Sequence, residues 1–79
     1  MITFCRHRLH GNKSYREINL SYFEGEEKPF AVYFSDDFRG KKWWYPTFAE
    51  AREDYVGTIR YSEKSHGYTI EKVEIGEKV

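Results

Sequence analysis

The chain has one cysteine, two prolines and one methionine, and no apolar run near the ~20 residues a membrane helix requires. One cysteine excludes an internal disulfide, so the fold must rest on packing, which suits a reducing, cytoplasmic setting. Met1 to Leu9 holds two arginines and no long apolar stretch, so no secretory leader is expected there. No repeat, linker or low-complexity segment divides the 79 residues. A chain this short buries only about 60 % of its unfolded surface, which leaves room for a single small domain, 1–79, with a polar tail at 76–79. Net charge is also lacking, at +0. That argues against a strongly electrostatic nucleic-acid binder.

Aromatic residues are what the chain has instead. They make up 19 % of it against a hydrophobic total of 39 %, with seven Tyr, six Phe and two Trp. Each large ring can bury roughly 150–250 Å², so a few of them must supply most of the core. The charges are unevenly placed. Residues 1–16 carry Arg6, Arg8, Lys13 and Arg16 with no acid, residues 17–37 carry six acids against Lys28, and Arg39, Lys41 and Lys42 follow.

From Ile2 to Tyr45 the period is two, broken about every ten residues by turn signals, as in a meander. Gly11-Asn12 is a two-residue hairpin signal. It would pair His10 with Lys13, Arg8 with Tyr15, Arg6 with Glu17 and Phe4 with Asn19 on one face. Cys5–Ile18 and Thr3–Leu20 would then lie on the core face. Around Gly25-Glu26-Glu27 a three-residue loop pairs Tyr22–Phe30, Leu20–Val32 and Ile18–Phe34, the most coherent apolar set. A loop at Asp37-Phe38-Arg39-Gly40 pairs Phe34–Trp43 and Val32–Tyr45, with Trp44 on the opposite face beside Tyr33. A loop one residue longer or shorter would exchange the two tryptophans.

Pro46 ends the fourth strand because it cannot donate to a ladder. Thr47-Phe48-Ala49-Glu50 fits a capping box, in which threonine and glutamate each satisfy an orphan amide. Phe48, Ala51, Tyr55, Ile59 and Tyr61 or Ser62 recur at helical spacing, widened by Val56. Gly57 costs about 1 kcal/mol in a helix interior and could let the last turns fray or bend. Gly67 is the natural stop. Tyr68 to Ile75 reads as a final strand, with a slip in parity that predicts a bulge or an early end. The expected fold class is α+β: an antiparallel four-stranded meander, one helix on one face and a last strand, β-β-β-β-α-β in the order 5-1-2-3-4.

Cys5, His7 and His10 invite a metal reading, but on a strand the first two share a face that His10 does not. No nucleophile elbow, metal box or phosphate loop stands out, and Asp36-Asp37 and Glu26-Glu27 fall in turns as solvated charge. No catalytic residue, metal, cofactor or small-molecule substrate is therefore expected. The order of elements lacks the leading helix of a double-stranded-RNA-binding domain and differs from the βαββαβ of an RNA-recognition motif.

A single helix covers one face of a sheet, and adjacent tryptophans point oppositely, so one tryptophan lies off the main core. The candidate binding set is Arg6, Arg8, Tyr15, Tyr33, Lys42 and Trp44 on the open face, with Glu17 and Asn19 among them. Arg39 and Lys41 adjoin at a basic end that also gathers His10, Lys13, Lys64 and His66. Such a surface suits a protein interface, where Trp, Tyr and Arg are the usual anchors. It also suits single-stranded RNA or DNA, through base stacking and phosphate contact. A cross-strand ladder of arginines with Glu17 and Tyr15 is the plainer account, though it leaves an exposed tryptophan unexplained. The functional expectation is a non-catalytic interaction module that binds a protein partner or a second copy, a regulatory or accessory protein of a bacterium, phage or mobile element by its size. Nucleic acid is the alternative partner, and no membrane is involved.

Overall fold

Period-two alternation carries the chain through β1 (Ile2–His10), β2 (Tyr15–Tyr22), β3 (Phe30–Phe34) and β4 (Lys42–Tyr45), after which α1 (Phe48–His66) and β5 (Thr69–Lys72) follow. The computed structural model describes residues 1–36 and 39–75. Asp37 and Phe38 of the expected third loop and the expected polar tail lie outside them. The strands form one sheet in the order β4-β3-β2-β1-β5, every pairing is antiparallel, and α1 packs on one face. This is the expected α+β arrangement, with β5 beside β1.

The β2–β3 register is the expected one, Tyr22 to Phe30, Leu20 to Val32 and Ile18 to Phe34. Both neighbouring hairpins are instead displaced by two residues. In the first, His10 pairs with Tyr15, Arg8 with Glu17 and Arg6 with Asn19. The loop therefore has four residues, closed by the Gly11 amide donating to the Ser14 carbonyl at 2.8 Å. Gly11 is required by a close approach. A Cβ there would lie 2.5 Å from Ser14 Oγ and 2.8 Å from Cε1 of Tyr68. In the third, Val32 pairs with Trp43, Ala31 with Trp44 and Tyr33 with Lys42, and Gly40 has a positive φ of 68°. A slip of two keeps every side chain on its face.

One correction does change faces. The β1–β2 register shifts between Thr3 and Cys5, so Thr3 pairs with Ser21 and Cys5 with Leu20. The extra residue, Phe4, joins the helix side, where its ring centroid lies 5.5 Å from that of Phe48 and 6.3 Å from that of Phe30. Thr3 moves to the open face, and its hydroxyl lies 3.1 Å from Ser21 Oγ. The bulge gives the phenylalanine ring aromatic neighbours, although it stays 44 % exposed, and gives a hydroxyl a partner.

The core consists of Ile18, Leu20, Val32, Ala51 and Tyr55, flanked by Cys5, Phe30, Phe34, Tyr45 and Ile59. Burial of each large aliphatic side chain contributes about 1.5–3 kcal/mol. Thr47 caps α1 by accepting the Glu50 amide. The Glu50 carboxylate, however, accepts the Thr47 hydroxyl at 2.9 Å and does not reach back to an amide. The helix runs unbroken through Gly57 to a left-handed Gly67, and Ser62, not Tyr61, completes its buried stripe. β5 ends early, at Lys72, and the Val73 amide adds one further bond to the Arg6 carbonyl. Among the described residues no helix is long and apolar enough to cross a membrane.

Candidate functional site: the open sheet face

Parity and the Phe4 bulge place Thr3, Arg6, Arg8, His10, Tyr15, Glu17, Asn19, Ser21, Phe23, Ala31, Tyr33, Lys42, Trp44 and Glu71 on the face without the helix. The centre of this face is buried. Asn19 is 1 % exposed and Ser21 and Ala31 are 0 % exposed, because longer neighbours fold down across them.

A hydrogen-bonded layer occupies that centre. Arg6 Nε donates to Asn19 Oδ1 at 2.6 Å, and Asn19 Nδ2 donates to Ser35 Oγ at 2.6 Å. Ser21 Oγ lies 2.8 Å from the Tyr33 hydroxyl, which draws the tyrosine ring along the sheet. A buried polar group left without a partner costs about 1–3 kcal/mol. Among the described residues none is left so.

The arginines are held in a ladder. Glu17 receives Arg8 Nε on Oε2 at 3.3 Å and stands 3.8 Å from Arg6 Nε through Oε1. His10 Nε2 meets Glu71 at 2.7 Å, and its ring packs beside that of the half-exposed Tyr15. Arg16, on the helix side, pairs with Asp36 at 3.1 Å and stacks on Phe34. Each exposed pair contributes only about 0–1 kcal/mol, yet together they balance most of the positive charge on the strands.

The aromatic end is different. Trp44 is 37 % exposed. It packs edge-on against Phe23 at 5.3 Å between centroids, and Phe23 in turn packs on Tyr33 at 6.1 Å. Lys42 Nζ lies 5.1 Å from the Tyr33 centroid and 5.7 Å from that of Phe23. The face thus divides into a charge-balanced half of Arg6, Arg8 and Tyr15 and an aromatic half of Tyr33, Lys42 and Trp44. Sequence reasoning missed Phe23. Carrying the β2 alternation one step past Tyr22 would have placed it on the same face as Tyr33.

The other two candidates lie off this face. Lys41 is on the helix side, with Nζ 5.0 Å from the Trp43 centroid, and Arg39 is exposed in the connection before β4. Trp43, expected on the core face with Phe34, is on the helix side but 41 % exposed. The helix does not reach over the whole of the edge strand, so both tryptophans are half-covered, on opposite faces.

Cys5 and His7 share the helix side, and His10 faces the other way. His7 Nδ1 meets the Tyr55 hydroxyl at 2.7 Å. Burial lowers the His7 pKa, with Lys72 adding to the effect, and burial pushes the Cys5 thiol up against the opposing pull of Arg52 and Lys72. Among the described residues no group of three or more His, Cys, Asp or Glu side chains could hold a metal ion. No protein-family model, curated protein or solved structure matches the chain.

Proposed function

We propose that this protein is a non-catalytic interaction module that binds a protein partner through the aromatic half of its open sheet face, in the cytoplasm. The observation that carries the reading is the half-exposed Trp44, standing on Phe23 and flanked by Tyr33 and Lys42 where no helix covers the sheet. An aromatic anchor set on a rigid strand loses little conformational entropy on binding, and such side chains dominate interface energetics. The Lys42 ammonium selects a partner that presents a carboxylate beside an apolar side chain. Single-stranded nucleic acid is less well served, because Arg6 and Arg8 already share Glu17 and the net charge is +0.

A photoreactive phenylalanine analogue at position 23, compared with one at the exposed helix position 60, tests the proposal in cells. Protein adducts at position 23 that fall severalfold with Trp44→Ala, at unchanged circular dichroism, are the expected result. Nucleic-acid adducts, or labelling no stronger than at position 60, would overturn it.

A further inference from the structure

The sheet has two edge strands, β4 and β5, and the β4 edge fits the groove beside it. Among the described residues β4 pairs only with β3 and the backbone groups on its outer edge have no partner, and such an edge is a template for a further strand. Natural sheets often guard such an edge with lysine, which is the plainest role for Lys41 and Lys42. Here each lysine shares its face with a tryptophan two residues on, Lys41 with Trp43 and Lys42 with Trp44, and both rings are half-exposed, which is a poor guard.

Between β4 and α1 runs a groove lined by Tyr45, Glu50, Glu53, Asp54, Gly57 and Tyr61. Among the described residues its three carboxylates are in no ion pair. Asp54 sits directly over Tyr45, whose hydroxyl donates to Oδ2 at 2.7 Å. Gly57 leaves the wall open, with nothing within 4 Å of where its Cβ would stand. Lys41, a surface cation, lies on this same side of the sheet.

We propose that two copies of the chain join edge to edge through β4, antiparallel about a two-fold axis at Trp43. A two-fold perpendicular to the sheet keeps equal faces together, so only pairings of like parity are allowed. Centring on Lys42 sets two ammonium groups opposite each other, and centring on Trp44 sets Lys42 against Pro46, which has no amide to donate. Centring on Trp43 sets Trp43 against its own copy and Lys42 against Trp44 on the open face, a cation over a ring in both directions. On the helix side Lys41 comes opposite Tyr45, within side-chain reach of Asp54 and Glu53, again twice. The two aromatic patches, each with Phe23, Tyr33 and Trp44, then lie side by side. The inference rests on the interaction-module reading but uses the edge of the sheet, and its test requires no other partner.

Sedimentation velocity of the full chain from micromolar to millimolar concentration should show a concentration-dependent dimer. Lys41→Glu should weaken it roughly tenfold, since two attractive pairs become repulsive, and the Lys41→Glu/Glu53→Lys double variant should recover most of the loss. Amide exchange should show β4 amides that point away from β3 gaining protection as concentration rises. A chain that stays monomeric across the range would overturn the proposal. So would a dimer indifferent to Lys41→Glu whose β4 amides gain no protection.

Discussion

At the residue scale, Tyr55 is, among the described residues, the one large side chain that is both central to the core and hydrogen-bonded inside it. Its hydroxyl meets His7 Nδ1 at 2.7 Å and donates to the Ile18 carbonyl at 3.4 Å, and burial raises its pKa strongly. Tyr55→Phe keeps the ring but strands the imidazole nitrogen, so urea denaturation should show a loss of about 1–3 kcal/mol. The pH dependence has a definite sign. The folded pKa of His7 lies below its unfolded value, so the unfolded chain binds the proton more readily on the acid side. Stability should be undiminished above the ordinary histidine value of about 6.5 and should fall as the pH drops through it. Tyr45 acts at the other extreme. Burial, then the bond to Asp54, push it up to about 12, so its contribution is whole below the ordinary tyrosine value and is lost as the pH rises toward that figure. His7→Phe should flatten the acid side of the stability profile without changing the alkaline side.

At the element scale, two glycines offer opposite outcomes for the same substitution. Gly57 lies mid-helix, where an added Cβ meets nothing within 4 Å, so Gly57→Ala should raise the unfolding midpoint through a gain of up to about 1 kcal/mol. Gly11 has Ser14 Oγ and the Tyr68 ring in the way, so Gly11→Ala should lower the midpoint by opening the first loop or displacing Tyr68. Thr47→Ala removes the hydroxyl that accepts the Glu50 amide and should cost about 1 kcal/mol. Thermal unfolding followed by circular dichroism separates all three. The helix boundaries were legible because caps are local chemistry: Thr47 and Gly67 act within one turn of themselves. The Phe4 bulge was not legible. Its cause is contact with Phe30 and Phe48, residues far along the chain.

For the whole molecule, the decisive quantity is how the charges are distributed between the two halves of the open face. Glu17 pairs with both Arg6 and Arg8, so Glu17→Gln releases Arg8 and leaves Arg6 uncompensated in charge while Asn19 still holds it. It should cost little stability, under about 1 kcal/mol per pair. Tryptophan fluorescence should then show salt-sensitive quenching by single-stranded oligonucleotides at low ionic strength, weaker or absent in the native chain. Equal quenching in both would mean that Glu17 does not control the face.

The order of the elements, the strand parity beyond the Phe4 bulge, the β2–β3 register, the Thr47 and Gly67 caps and the place of β5 beside β1 were all legible in the chain. The caps, the parity and the register follow from local turn chemistry or a period of two, and the place of β5 from strand direction and connection rules. The sequence by itself left the other two registers undecided, because a slip of two residues preserves every face and so leaves the hydrophobic pattern intact. Tertiary structure chose among them, through Tyr68 against Gly11 in the first loop and through the longer third connection that sets Lys42 against Tyr33. It also decided that Arg8, rather than Arg6, lies opposite Glu17, and that neither tryptophan is fully covered. Parity is a property of each strand alone, except where a bulge resets it as at Phe4. Partnership and exposure depend on where distant strands and the helix stop.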